Sequence, residues 1–421
     1  MIKITSDKTF KKKNALEIDG KIEKTVKKII SDVKAYGDSA ITKYTNKFDG
    51  VKLGHKNFKV ASKEISDAYA KVSDSFLTAI RTSIKNIRNY HEKQKTDEWF
   101  ETMPDDVVLG QRNIPIDRVG IYVPGGMVCY PSSVVMNAIP AKIAGVKEIV
   151  MLTPPKKDGI SPYILVAAAE SGISEIYQIG GAQGIAALAF GTDTIKKVDK
   201  IVGPGNIYVT TAKKLVFGFV GIDRIAGPSE VLIIADETAS PKFIAADMLS
   251  QAEHDPLASA ILVTTSKDIA SKVSAEIKRQ IKDLSHRNIA EKSIKNNGQI
   301  IVVRTIDEAI DIANDIAPEH LEIITQVPQS ILSRIRNAGA VFLGPYSPEV
   351  VGDYIAGPNH VLPTNGTARF SSALGVYDFV KKQNVIGYTK AALEKARSTI
   401  KILADAEKLD AHKKSMEVRF E

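Results

Sequence analysis

The chain has 421 residues, 44% of them hydrophobic and 25% charged, so it is too long for one ordinary domain and can bury a large core without staples. Its formal net charge of +8 comes from Lys and Arg interleaved with Asp and Glu; the one tight basic run, Lys11-Lys12-Lys13, has no aromatic residues alternating with it, which argues for solvated surface and against binding to nucleic acid or a membrane surface. The lone cysteine, Cys129, excludes an intrachain disulfide and a thiolate zinc cluster, and with no signal-like leader and no run near the roughly 18 apolar residues of a membrane span, a cytoplasmic protein is expected.

The first hundred residues read as helix. Apolar residues recur at three and four from Asp19 to Tyr44 and from Ser62 to Gln94, with Ser62 and Glu64 suited to capping the second stretch. After Arg112 short apolar runs alternate with helical segments. Arg118 to Val123 reads as a buried strand, followed by a Gly-Gly turn and a helix from Ser132 to Ala144. Strands at Glu148–Thr153, Glu175–Ile179 and Lys200–Val202 then alternate with helices at Pro162–Ser171, Gln183–Ala189 and Asn206–Val216. This is the pattern of a parallel α/β unit.

The pattern starts again at Glu230–Ala235. Strands at Ser259–Thr264, Gln299–Val303, Leu321–Thr325 and Ala340–Leu343 alternate with helices at Pro241–Glu253, Ile269–Leu284, Ile306–Ile316 and Ser330–Asn337. The expected fold class is therefore α/β. It comprises two incomplete Rossmann-like parallel-sheet domains, a helical N-terminal region and a C-terminal extension that reads as helical and charged from Phe379 onward.

Three glycine-rich turns end strands of the first unit: Val123-Pro124-Gly125-Gly126, Gly180-Gly181-Ala182-Gln183-Gly184 and Gly203-Pro204-Gly205-Asn206. Each alone is ordinary turn chemistry. Together they would cluster at the carboxyl edge of one sheet, where backbone amides can approach a pyrophosphate. Gln251 and His254 lie three apart at a helix end, a spacing open to a metal site or to a capping or surface role. Glu319-His320 follows a helix-stopping Pro318 and reads either as an acid/base pair or as a solvated polar pair. Asp353 and His360 lie in a Gly/Pro-punctuated loop, and Glu407 and His412 sit five apart in a charged helix. Cys129 reads as a small loop residue rather than a thiohemiacetal nucleophile.

Taken together, these stretches resemble the histidinol dehydrogenase family. The most specific run is Ile222-Asp223-Arg224-Ile225-Ala226-Gly227-Pro228-Ser229-Glu230-Val231, continuing to Ser250-Gln251-Ala252-Glu253-His254-Asp255. The stretches from Ala317 to Glu322 and from Gly352 to His360, the latter extending to Phe370, match as well. The resemblance runs in order from Arg118 to His412, and the first hundred residues match only loosely.

The resemblance implies oxidation of L-histidinol to L-histidine through the aldehyde, the last stage of histidine biosynthesis, with two NAD+ and one Zn2+ per subunit. It makes Gln251, His254, Asp353 and His412 the metal ligands and Glu319 and His320 the catalytic pair. Substrate contacts would come from Ser229, Gln251, His254, His320, Asp353, His360, Glu407 and His412, and NAD+ contacts from Tyr122, Gln183 and Asn206. It implies a homodimer whose C-terminal extension, 375–421, reaches the partner's site. It also implies an N-terminal segment (1–17), a catalytic domain from 18–121 and 229–374, and an NAD-binding domain over 122–228. The rival readings are a zinc- and NAD-dependent relative acting on another hydroxy compound, such as a sulfonated diol, a zinc hydrolase, or a basic binding protein without catalysis. The hydrolase would need no nucleotide turns, and the binding protein would leave Glu319-His320 unexplained.

Overall fold

The computed structural model describes residues 2–6, 19–125 and 129–421. The Lys11-Lys12-Lys13 run, Gly126 and most of the 1–17 segment lie outside the described residues. A short strand β1 (Lys3–Thr5) is followed by helices α1 (Gly20–Phe48), α2 (Ser62–Tyr69) and α3 (Asp74–Glu92) and strands β2 (Trp99–Met103) and β3 (Val107–Pro115). The first α/β unit runs β4 (Arg118–Tyr122), α4 (Pro131–Ala144), β5 (Glu148–Thr153), α5 (Pro162–Glu170), β6 (Glu175–Gln178), α6 (Gly181–Phe190), β7 (Lys200–Val202), α7 (Ile207–Val216) and β8 (Gly221–Ile222). The second runs β9 (Glu230–Ala235), α8 (Pro241–Ala252), β10 (Ser259–Thr264), α9 (Lys267–Gln280), α10 (Arg287–Asn297), β11 (Gln299–Val302), α11 (Ile306–Ile316), β12 (His320–Ile324), α12 (Gln329–Leu332), β13 (Ala340–Leu343) and α13 (Glu349–Tyr354). Strand β14 (Val380–Gly387) and helices α14 (Lys390–Ala406) and α15 (Asp410–Glu417) close the chain.

The five-stranded sheet is ordered β6-β5-β4-β7-β8 and is parallel throughout. The six-stranded sheet is ordered β1-β11-β10-β9-β12-β13 and is also parallel. Setting aside the edge strand β1, each unit follows the same 3-2-1-4-5 order, a Rossmann-like sheet lacking its sixth strand. The strands β5, β9 and β10 are almost wholly buried, as parallel strands covered by helices on both faces must be. Proline opens α4, α5 and α8 in the first turn, where its missing N–H costs nothing.

The N-terminal helices cover the five-stranded sheet. Val26, Ile29, Val33 and Ile41 of α1 share one core with Leu152, Ile185 and Leu188, and Ile80, Ile84 and Ile87 of α3 share another with Val135, Ile139 and Leu165. The packing thus groups α1–α3 with the smaller sheet.

Several local expectations change. The helix expected from Ser62 to Gln94 breaks in two because Ser73 Oγ accepts from the Phe76 amide at 3.2 Å and caps a new helix. Ser62 is not the cap of α2; Glu64 instead accepts from the Ala61 amide at 3.0 Å. The tail is not helical from Phe379. Val380–Gly387 forms β14, which pairs antiparallel with β3, itself paired with β2. This third sheet has little to cover it, and Trp99, Phe100 and Ile386 remain exposed. A strand that is exposed on both faces shows no alternation of apolar and polar residues, so its period was hidden. The helix expected over Ser330–Asn337 shrinks to α12, and α10 was not anticipated.

Candidate active site

A cleft of about 1430 Å³ runs between the two units. One wall carries Gly203 and Asn206 from the end of β7, and the other carries Gln251, His254, Glu319, His320 and Asp353. Residues 223–229, the crossover from β8 to β9, lie between them. The first wall is the carboxyl edge of its sheet. The second is the amino edge, because Glu230 and His320 are the first residues of β9 and β12.

Glu319 and His320 are held by one neighbouring strand. Ala317 ends α11 in the left-handed conformation at φ 49°, turning the chain so that both side chains enter buried surroundings at 6% and 5% exposure. His320 Nδ1 lies 2.9 Å from the Glu230 carbonyl oxygen, so that nitrogen carries the proton and donates it. Nε2 then holds the lone pair and lies 3.8 Å from Glu349 Oε1. Burial lowers the His320 pKa to about 4, which keeps the ring neutral near pH 7 and fit to accept a proton. Glu319 Oε2 accepts from the Glu230 amide at 2.9 Å. Burial, and then the Glu230 carboxylate, push the Glu319 carboxyl well above the usual range, toward the poise of a general acid or base.

Asp353 lies in the last turn of α13 rather than in a loop, with Oδ1 3.4 Å from His360 Nδ1. Burial pushes its carboxyl up. The hydrogen bond from His360 and the charges of His360, His320 and His254 outweigh that and hold it below the usual range. One turn earlier on the same helix stands Glu349, buried at 2% exposure. Burial and the facing carboxylates of Asp353 and Glu319 push it well above the usual range. Atoms of His254, Glu349 and Asp353 that can bind a metal all lie within 4.8 Å of one another. Gln251 is fully buried beside them. With its amide nitrogen facing Glu349 it donates to both carboxylate oxygens at 2.9 and 3.1 Å, which leaves its carbonyl oxygen free as a further donor atom. An imidazole, carboxylates and an amide oxygen form a set that suits zinc.

The sequence reading missed Glu349. The signal was there, because Glu349 and Asp353 are four apart on one helix and so share a face. Tyr122 at the end of β4 and Gln183 in the first turn of α6 are buried and do not line the cleft, and the Gly181 amide donates to Tyr122 Oη at 3.1 Å. Gln183 Nε2 is buried and without a partner among the described residues. Asn206 is exposed and caps α7, its Oδ1 accepting from the Tyr208 and Val209 amides at 3.0 and 3.2 Å, so its amide hydrogens face outward as donors. Ser229 lines the cleft.

Glu407 and His412 are not on one helix. Glu407 caps α14, Lys408 turns the chain at φ 57°, and His412 belongs to α15. Both are exposed and neither lines the cleft of its own chain. Cys129 is half-buried and donates to Ser161 Oγ at 3.2 Å, as a loop residue would. Among the described residues no helix is long and apolar enough to cross a membrane.

A family model described as histidinol dehydrogenase matches residues 11–420. Histidinol dehydrogenase of Clostridium acetobutylicum is 56% identical over 403 residues, covering 96% of this chain and 93% of that protein. The Bacillus subtilis protein of that name is 56% identical over 397 residues, covering 94% and 92%. The crystal structure of histidinol dehydrogenase from Elizabethkingia anophelis superposes with a TM-score of 0.91 at 41% identity, over 96% of this chain and 93% of that one.

Proposed function

The chain belongs to the histidinol dehydrogenase family, and from that premise we propose that it oxidises L-histidinol to L-histidine through the aldehyde, with two NAD+ and one zinc ion, in the last stage of histidine biosynthesis. The observation that carries the chemistry is the neutral His320. Its Nδ1 is tied to the Glu230 carbonyl and its Nε2 faces Glu349, in the same cleft as the glycine-rich turn at Gly203.

In this reading His320 Nε2 takes the hydroxyl proton, and NAD+, when bound, would supply the hydride acceptor. Glu319, whose carboxyl is raised by burial, activates the water that adds to the aldehyde, and His320, once it has given its first proton to solvent, takes a second as the resulting hydrate is oxidised. The zinc ion, when bound, would supply a Lewis acid that holds the substrate's imidazole and amine. Gln251, His254 and Asp353 would hold it, with Glu349 fixing the Gln251 amide from behind. The fourth ligand, His412, and the substrate contact Glu407 would come from a second copy of the chain, which accords with their exposure in this one. His360, bonded to Asp353, and Ser229 would contact the substrate, while Tyr122, Gln183 and Asn206 serve NAD+. The exposed apolar surface of β2 and β14, with Ile402 and Leu403 of α14, supports a homodimer. The segment 122–228 is taken as the NAD-binding part, and the enzyme as cytoplasmic.

The test is NADH formation by zinc-loaded protein given L-histidinol. Two NADH should form per substrate, with no free aldehyde. No NADH, or one NADH with aldehyde released, overturns the reading.

A further inference from the structure

The crossover between the two units is fastened on both sides, and one fastening is a buried ion pair. Lys213 of α7 and Asp223, just past β8, have side chains only 3% and 1% exposed. Lys213 Nζ donates to Asp223 Oδ1 and, at 2.8 Å, to the Gly203 carbonyl oxygen. Asp223 Oδ2 accepts from the Gly203 amide at 2.8 Å. Both backbone groups of Gly203 are thus held by this one pair. The position requires glycine, since it sits at φ +107° and a Cβ there would lie 2.1 Å from the Tyr122 carbonyl oxygen. Gly203 opens the turn that ends in Asn206.

The next residue continues the linkage in the other direction. Arg224 Nη1 donates to the Val361 carbonyl oxygen at 2.8 Å, and the Val361 amide donates to the buried Asn359 at 2.9 Å, so the backbone on both sides of His360 is fixed. Thr210 Oγ1 spans the gap between Gly205 and Ala226, 3.4 Å from each carbonyl oxygen.

A buried ion pair is a poor source of stability, because desolvation of both charges offsets their attraction. What this one does supply is geometry, since each partner grips the same glycine from opposite sides. We propose that Lys213 and Asp223 are positioning residues for the dehydrogenase reaction: through Gly203 and Arg224 they fix the NAD+-binding turn at a set distance from the His360 side of the substrate pocket. The inference rests on the reading of the cleft as a histidinol and NAD+ site. It adds two residues whose side chains are 3% and 1% exposed.

The zinc-loaded full chain is compared as wild type, Lys213→Met, the charge-free double variant Lys213→Met/Asp223→Asn, and Thr210→Val. Measurements are KM for NAD+, KM for L-histidinol, kcat, Tm, and NAD+ affinity by calorimetry. Lys213→Met should raise KM for NAD+ at least tenfold and lower kcat, with KM for histidinol within threefold of wild type. The double variant removes the lone buried charge, so Tm should recover while NAD+ affinity stays low. Thr210→Val, which keeps its shape, should weaken NAD+ a few-fold even if the Lys213 variants do not fold. Unchanged NAD+ affinity in Lys213→Met, or joint recovery of Tm and NAD+ affinity in the double variant, would overturn the proposal. Where the Lys213 variants do not fold, unchanged NAD+ affinity in Thr210→Val would overturn it. Wild type that binds NAD+ but makes no NADH from histidinol refutes the activity reading instead, and calorimetry still decides the positioning role.

Discussion

The two α/β units share one strand order and use opposite edges of it. In the five-stranded sheet the glycine-rich turns follow the carboxyl ends of β4, β6 and β7, where open α/β sheets ordinarily bind ligands. In the six-stranded sheet the reactive groups stand at the amino ends, with Glu230 opening β9 and His320 opening β12. At the carboxyl edge of that sheet one side chain holds two backbone amides. Asp236, just past β9, accepts from the Thr238 amide at 3.0 Å and from the Gln326 amide at 2.8 Å. At the start of β9, by contrast, the Glu230 amide and carbonyl hold the Glu319 carboxyl and the His320 imidazole. Topology sets where a site can be; local hydrogen bonding decides which edge is used.

The largest test of this division is metal removal. Chelation should abolish histidinol oxidation and leave NAD+ affinity, measured by calorimetry, within twofold, with zinc restoring activity; parallel loss of NAD+ binding would contradict two separable walls. Next, His320→Ala should lower kcat by about 10²–10⁴-fold with unchanged NAD+ affinity, and intact turnover would remove His320 from its role. Gly203→Ala strikes the opposite wall. Its Cβ would meet the Tyr122 carbonyl oxygen at 2.1 Å, so NAD+ affinity should fall more than tenfold and Tm should drop, with less effect on histidinol binding.

The smallest effect lies in the helical layer packed on the five-stranded sheet. Asp49 caps α1, and burial raises its pKa to about 6 with no partner for Oδ2 among the described residues. The folded state therefore holds the proton more tightly than the unfolded one. The stability this adds is complete below about pH 4 and is lost as pH rises through 6. Asp49→Asn should raise Tm by about 2 °C above pH 7, and the gain should vanish at pH 4. A gain that persists at pH 4 would show a cause other than ionisation.

Much of the candidate site was legible because its residues sit in contiguous runs. Gln251 and His254 are three apart, Glu319 and His320 are adjacent, and Asp353 and His360 share one stretch. Glu349 was legible only as the residue four before Asp353; that it belongs to the site depends on Gln251, which another element supplies. The Lys213–Asp223 pair was hidden for the same reason, being an ordinary charged pair until folding removes it from water.

Periodicity alone determined two parallel α/β units, because strands buried on both faces must be continuously apolar. It did not reveal the antiparallel sheet of β2, β3 and β14, whose exposed strands follow no such rule. Only the tertiary structure decided that Glu319 and His320 stand at an amino edge, that the N-terminal helices cover the smaller sheet, and that one crossover ties both walls of the cleft together. These are consequences of contacts between residues far apart in the chain, and local sequence carries no record of which distant backbone group a side chain will meet.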